Sequence, residues 1–269
     1  MTGTDMPVRE FVSHIRELAI VDSSRAWLEA TFDDGAASVD AHPGSGATLV
    51  ARAHGGSGAL VDGRLTGRWT AVVGGRFADW LLLPARSSTL HHVLVARDRV
   101  DVDGRTVRGG LRTAGLADVA ADVTVAAADV LPLDRSTPIR AAGVATAAVV
   151  GSAQGLWRRH VEQLRSHLAA YHGGTTADSD AAQVARAASD LDAAELQLAH
   201  IGSAPEDLER SVWVCRQAVA RARSAADRLL EHSRHALDAD DPVTRRWCDV
   251  DTGARLAHRM FDHMSASLR

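Results

Sequence analysis

Thirteen histidines in a chain of 269 residues invite a metal reading. His232 and His235 are one helical turn apart, and His160 and His167 two turns apart, so each pair could present its rings on one helix face. No third ligand type clusters with either pair. They read as exposed or singly hydrogen-bonded histidines rather than metal ligands. Of the two cysteines, Cys215 falls on an apolar helical seam and reads as a small core residue. Cys248, between Trp247 and Asp249, is a nucleophile only where the fold brings a base beside it. The pair makes neither a zinc motif nor a disulfide framework, and a reducing cytoplasm is the expected compartment.

Absences narrow the chemistry. All 30 basic residues are arginine, which excludes a Schiff-base lysine, a P-loop lysine and a kinase-type lysine. No asparagine is present, so no N-glycosylation site exists. His-Glu-x-x-His, Gly-x-Ser-x-Gly, Gly-x-Gly-x-x-Gly and EF-hand patterns are missing. A net charge of −4 gives no nucleic-acid footprint. No apolar run reaches the about 18 residues of a membrane span. Met1 to Glu10 lack the apolar and basic regions of a secretory signal. Arg216, Arg221, Arg223 and Arg228 read as solvated or paired with Asp227 and Glu231. The sharper alternative is a phosphate-bearing ligand, flavin dinucleotide or coenzyme A, gripped by the guanidinium fork.

Three regions must position any such site. At 46% hydrophobic and 24% charged residues, the chain has an ordinary globular composition. Residues 1–44 contain a helix over about 7–36, with Val8, Phe11, Ile15, Leu18 and Ala19 spaced by threes and fours and Asp34-Gly35 as its end. Residues 45–137 read as β. Asp62-Gly63 and Asp103-Gly104 mark tight turns, and Trp80–Leu83 and Val93–Val95 are further strands. Residues 138–269 read as four long helices, with Gly173–Thr176 as an interhelical loop. The third opens with a Ser203/Glu206 capping box around Pro205 and continues as a seam of Leu208, Val212, Cys215, Val219, Ala222, Ala226 and Leu229. The fourth opens at Asp241-Pro242 and carries Trp247, Val250, Ala254, Ala257, Phe261, Met264 and Leu268. The fold class predicted is α+β: a small antiparallel β-barrel or sandwich followed by a four-helix bundle.

Several segments, in this order, resemble the acyl-CoA dehydrogenase superfamily, and most closely its flavin-dependent monooxygenase (hydroxylase) branch. Asp22–Trp27 resembles the end of its N-terminal helical domain, and Val61–Trp69 the start of its β-domain. Gly74 and Ala78-Asp79-Trp80 continue the match. Gly110–Gly115 with Asp118-Val119 resembles its Gly-Leu-Arg-x-Thr-Gly-Ser segment. Arg246–Arg255 resembles its Arg-x-Trp-Arg-Asp-Val-x-Thr-Gly signature. The resemblance implies an FAD or reduced-flavin site, with Trp69, Gly74, Thr113, Arg246 and Asp249 as cofactor-binding positions. It also implies oligomers through the C-terminal helices, with like chains, a full-length family member or a flavin reductase as partner. Neither nucleic acid nor membrane is expected.

Departures accompany the match. Most of the family's N-terminal helical domain is missing. The flavin-facing Ser-Gly of the family reads Val73-Gly74, and Thr-Gly-Ser reads Ala114-Gly115-Leu116. The arginine before the aspartate is Cys248, and the hydroxylases' histidine falls at Leu256. His258 would be its catalytic replacement, although it points about 200° away on a helix. Three readings follow. The first is a degenerate, non-catalytic or site-completing subunit of a flavin oxidoreductase, for which no cofactor on the lone chain is expected. The second is an active FAD- or FMN-dependent monooxygenase or acyl-CoA dehydrogenase, with Glu195 or Glu231 as the dehydrogenase base. The third is a repurposed scaffold that binds a small apolar ligand or catalyses a non-redox biosynthetic step.

Overall fold

The computed structural model describes residues 6–39, 49–104, 109–132, 138–170, 178–201, 207–231 and 238–267. The Gly173–Thr176 loop, the Ser203/Glu206 capping box, His232, His235 and Leu268 lie outside the described residues. Two helices open the chain, α1 (Val8–Val21) and α2 (Ser23–Val39), where the spacing predicts one. Asp22 divides them. Its extended backbone (φ −142°) ends α1, its amide N–H donating to Leu18 O, and its carboxylate accepts the Arg25 N–H to start α2. Asp34-Gly35 does not end α2. Gly35 lies within the helix, and a β-carbon there would sit 1.9 Å from the Val50 carbonyl oxygen, so the glycine permits a close approach.

Eight strands follow: β1 (Val50–Arg52), β2 (Gly56–Val61), β3 (Arg64–Val72), β4 (Trp80–Arg86), β5 (Leu90–Ala96), β6 (Asp101–Asp103), β7 (Ala117–Thr124) and β8 (Val130–Pro132). They form one open sheet in the order β6-β7-β3-β2-β4-β5-β8, with β1 paired to β4 off this path. The α+β arrangement of a β-domain followed by a helical bundle is as expected; the sheet is open rather than a barrel, and within the otherwise antiparallel sheet β1 and β2 both run parallel to β4. The predicted Asp62-Gly63 turn joins β2 to β3, with φ of 49° and 74°, the mirror-image geometry that suits strand twist. One face packs Leu65, Trp69, Leu81, Leu83, Val93 and Val119. The opposite face of β1, β4 and β5 packs Val50, Leu82 and Leu94 against Val39 of α2.

The remaining chain forms four helices, α3 (Pro138–Ala170), α4 (Asp178–Ile201), α5 (Leu208–Glu231) and α6 (Pro242–Ser267). Helix α3 is central, with Ala141, Ala145, Ala148 and Ala153 buried. Gly151 and Gly155 let α1 lie directly on its backbone: β-carbons there would come within 2.2 Å of Arg16 O and 2.4 Å of Ile20 O. Both predicted seams face the core, and Cys215 is fully buried, its thiol pushed up to about 12 by burial. Asp241 caps α6 as predicted, accepting the Val243 and Thr244 amides. Among the described residues, Asp207 caps α5 by accepting the Arg210 amide.

Candidate functional site

The sheet and the helical bundle meet where residues 109–116 lie across α6. A β-carbon on Gly110 would sit 2.0 Å from the Cys248 carbonyl oxygen, so glycine lets the two backbones touch. The Gly110 amide donates to Thr252 Oγ1 at 3.1 Å. The Leu111 amide donates to Asp249 Oδ1 at 2.5 Å. That bond holds Leu111 at a positive φ of 56°, a conformation that disfavours a branched side chain. Burial raises the Asp249 carboxyl above its ordinary range, and the Leu111 amide and Arg246 partly offset this.

A cavity of about 560 Å³ opens beside this junction, between β3, β7 and α6. Its apolar wall includes Ala71, Leu116, Ala117, Trp247 and Leu256. Ala71 belongs to a β-bulge between Trp69 and Val72 and is held at φ 53°. Its amide donates to Asp118 Oδ1 at 3.0 Å, so the aspartate fixes the bulge. Asp118, Cys248, Asp251, Arg255 and Arg259 supply the charged or reactive groups. Asp251 pairs with Arg223 at 2.6 Å and with Arg255 at 2.7 Å. Arg259 reaches Thr70 Oγ1 at 3.4 Å. Burial first, then the nearby Asp249 charge, pushes the Cys248 thiol up, away from the thiolate a nucleophile needs. No histidine lines this cavity among the described residues.

Thr113, Arg246 and Asp249 come together elsewhere. They line a separate recess of about 250 Å³, with Asp22, Ser24 and Arg112. Arg246 also donates to the Val21 carbonyl, closing the end of α1. The other two expected cofactor positions touch neither space. Trp69 is buried in the sheet and donates its indole N–H to Pro84 O at 3.0 Å. Gly74 adopts φ 69° in the turn after β3, where Phe32 lies against it. Val73 is buried with the helical core, whereas Leu116, Cys248 and Leu256 all line the cavity.

His258 is placed away from the cavity. Its ring stands edge-on to Phe261, with centroids 6.2 Å apart. Burial and then Arg216 of α5 lower its pKa. The helical offset from Leu256 explains this: residue 256 faces the sheet and residue 258 faces α5. Glu195 pairs with Arg16 and accepts from Gln154 at 2.9 Å, between α1, α3 and α4. Glu231 ends α5, exposed. Neither carboxylate lines the cavity. Ala71 and Arg259 are lining residues that sequence reasoning missed. Arg259 had a signal, one helical turn beyond Arg255, whereas an alanine at positive φ has none.

The lining residues fit a flavin in size and charge. The volume lies within the range of about 300–1,000 Å³ typical of ligand pockets. Leu116, Trp247 and Leu256 suit a flat aromatic body, and Arg255 and Arg259 suit an anionic tail. The amides of Ala71 and Gly110 are already engaged and leave few donors for the polar edge of the ring.

No family model matches the sequence, and no curated protein does. Solved structures match almost its whole length. The HsaA monooxygenase from M. tuberculosis superposes with a TM-score of 0.75 at 21% identity, covering 98% of this chain and 86% of that one. XiaF from Streptomyces sp., in complex with FADH2 and glycerol, gives 0.76 at 22% identity over 97% of this chain and 81% of that one. A glutaryl-coenzyme A dehydrogenase gives 0.69 at 13% identity over 100% and 85%. The sequence segments and these superpositions converge: the chain has the acyl-CoA dehydrogenase-like fold, in the form also carried by flavin monooxygenases.

Proposed function

We propose that this chain is a site-poor member of that fold, a subunit that binds flavin or completes a flavin site without performing the hydroxylation or dehydrogenation itself. One observation carries the reading. Three of the five positions where the sequence departs from the hydroxylase pattern, Leu116, Cys248 and Leu256, line a single cavity, while Val73 and Ala114 are buried in the helical core. The cavity's acids are also engaged, Asp118 by the Ala71 amide and Asp251 by two arginines. General acid–base chemistry needs a group within reach and of suitable pKa. Here the groups in reach hold the wall together. A flavin, when bound, supplies hydride or oxygen-activation chemistry. Apolar walls and Arg255 and Arg259 would hold it, and Leu256 would exclude water where the hydroxylase pattern has an imidazole.

Partner subunits belong to the same reading. Leu196 of α4 is 73% exposed and Trp213 of α5 60% exposed, apolar surface that a second helical chain would cover. The test is titration of the purified chain with FMN and FAD, oxidised and reduced, followed by gel filtration and turnover assays. Flavin is expected to co-elute with the protein. The chain alone is expected to oxidise no acyl-CoA thioester and to hydroxylate no phenol with reduced flavin and dioxygen. Turnover by the lone chain overturns the proposal. The second reading, a binder of a small apolar ligand, is favoured by the added bulk of Leu116 and Leu256. Failure of every flavin form to bind, alone and with a full-length relative, selects it.

A further inference from the structure

A second group of titratable side chains lies outside both spaces, on the sheet face turned toward α2. Strand alternation puts Val50, Arg52 and His54 on that face of β1 and its extension, and Leu94 and His92 on the same face of β5. Arg52 is buried, pairs with Asp34 of α2 at 3.3 Å, and donates to Ser38 of the same helix. His54 Nε2 lies 3.9 Å from Asp34 Oδ2. His263, in the last turns of α6, brings its ring to 6.1 Å from that of His92. One arginine, one aspartate and three histidines from four elements thus share a largely buried site. No group of three able to hold a metal ion is found among the described residues.

Other charges nearby are turned elsewhere. Asp33 of α2 faces Arg140, Asp262 of α6 faces Arg216, and His91 of β5 bonds Ser87 and Thr89. The flanking strands β4 and β8 bring Leu82 and Leu131 to this face. Arg259, one turn before His263, lies against Gly55, the residue after His54, and lines the large cavity. With neutral imidazoles, the Arg52 and Asp34 charges cancel. Each proton added to an imidazole then adds a positive charge beside Arg52 with one carboxylate to share.

We infer that His54, His92 and His263 form an acid-released latch that fastens the end of α6 and the adjoining rim of the cavity to the sheet. Burial and Arg52 lower the pKa of both His54 and His263, which agrees with this arrangement. The sign follows. A histidine held below its unfolded pKa of about 6.5 contributes fully above that pH, and its contribution is lost as pH falls through the folded value. The latch stands whether or not the cavity takes flavin.

Amide hydrogen exchange on the unliganded chain, corrected for intrinsic rates, tests it between about pH 7.5 and pH 5.5, the span over which an ordinary histidine protonates. Exchange in the last two turns of α6 is expected to rise by about tenfold per pH unit for each proton taken up on opening. Exchange in α5 and β3 stays flat. His263→Gln removes most of the rise. An unchanged α6, a rise equal in the variant, or a rise shared by every element overturns the latch. Should His263→Gln fail to fold, the histidine C2–H titrations of the unmodified chain decide it. Assigned midpoints well below about 6.5 for both His54 and His263 support the latch, and a midpoint at or above that value for either overturns it.

Discussion

Helix α6 meets the rest of the molecule through two faces of different construction. Toward residues 110–111, Asp249 and Thr252 accept two backbone amides, and Gly110 leaves no space for a methyl group. Toward the cavity, Leu256, Cys248 and Arg259 border open volume. The first face is built from residues that match the family pattern, Gly110, Leu111, Asp249 and Thr252. The second carries two of the departures, Cys248 and Leu256. Positions that dock the two backbones and positions that border the cavity can therefore change independently, even one apart on a helix, although Gly110 and Thr252 belong to both sets. A matching motif is evidence about docking before it is evidence about catalysis.

Substitutions on the two faces sharpen this contrast. Gly110→Ala drives a β-carbon into the α6 backbone, which cannot yield as a side-chain tip would. It is expected to cost about 3 kcal/mol of unfolding free energy by chemical denaturation, at the upper end of overpacking. Asp249→Ala leaves the Leu111 amide without its acceptor and should cost about 2 kcal/mol, within the range for an unsatisfied buried donor. Asp249→Asn, which keeps an acceptor oxygen, should recover most of it. On the cavity face, Leu256→His should change stability by less than about 1 kcal/mol, since the side chain is partly exposed and borders a void. Its expected effect is on flavin oxidation or hydroxylation, read by stopped-flow absorbance. Arg255→Ala should be smallest, about 0.3 kcal/mol, the worth of an exposed i,i+4 pair. Equal losses on both faces would break the contrast.

The bundle was legible because its seams are long and its last helix has an explicit cap at Asp241. Asp22 was hidden because the apolar spacing continues through Trp27 while one residue turns the axis. Gly35 read as a stop but serves a close approach to Val50, a contact that no local pattern encodes. The open sheet could not be read either, because placing β1 and β2 on one edge of β4 is a non-local choice. In the site, the position of Leu256 on the cavity wall followed from the signature's register. Ala71 did not, since its positive φ comes from the bulge and from Asp118. His54, His92 and His263 are scattered along the chain and share a place only once β1, β5 and α6 are assembled.

The close docking of α1 on Gly151 and Gly155 bears on how the molecule is made. Helix α1 is synthesised before the sheet, yet the surface it rests on belongs to α3, which emerges only after the sheet. Until then Phe11, Ile15 and Ala19 have no α3 to cover them. The nascent chain carries that apolar stripe without its α3 partner while the whole sheet is made, and closing so long a loop is slow. Gly151→Ala would block the landing site, and its first symptom would be a low yield of soluble protein rather than a lost activity.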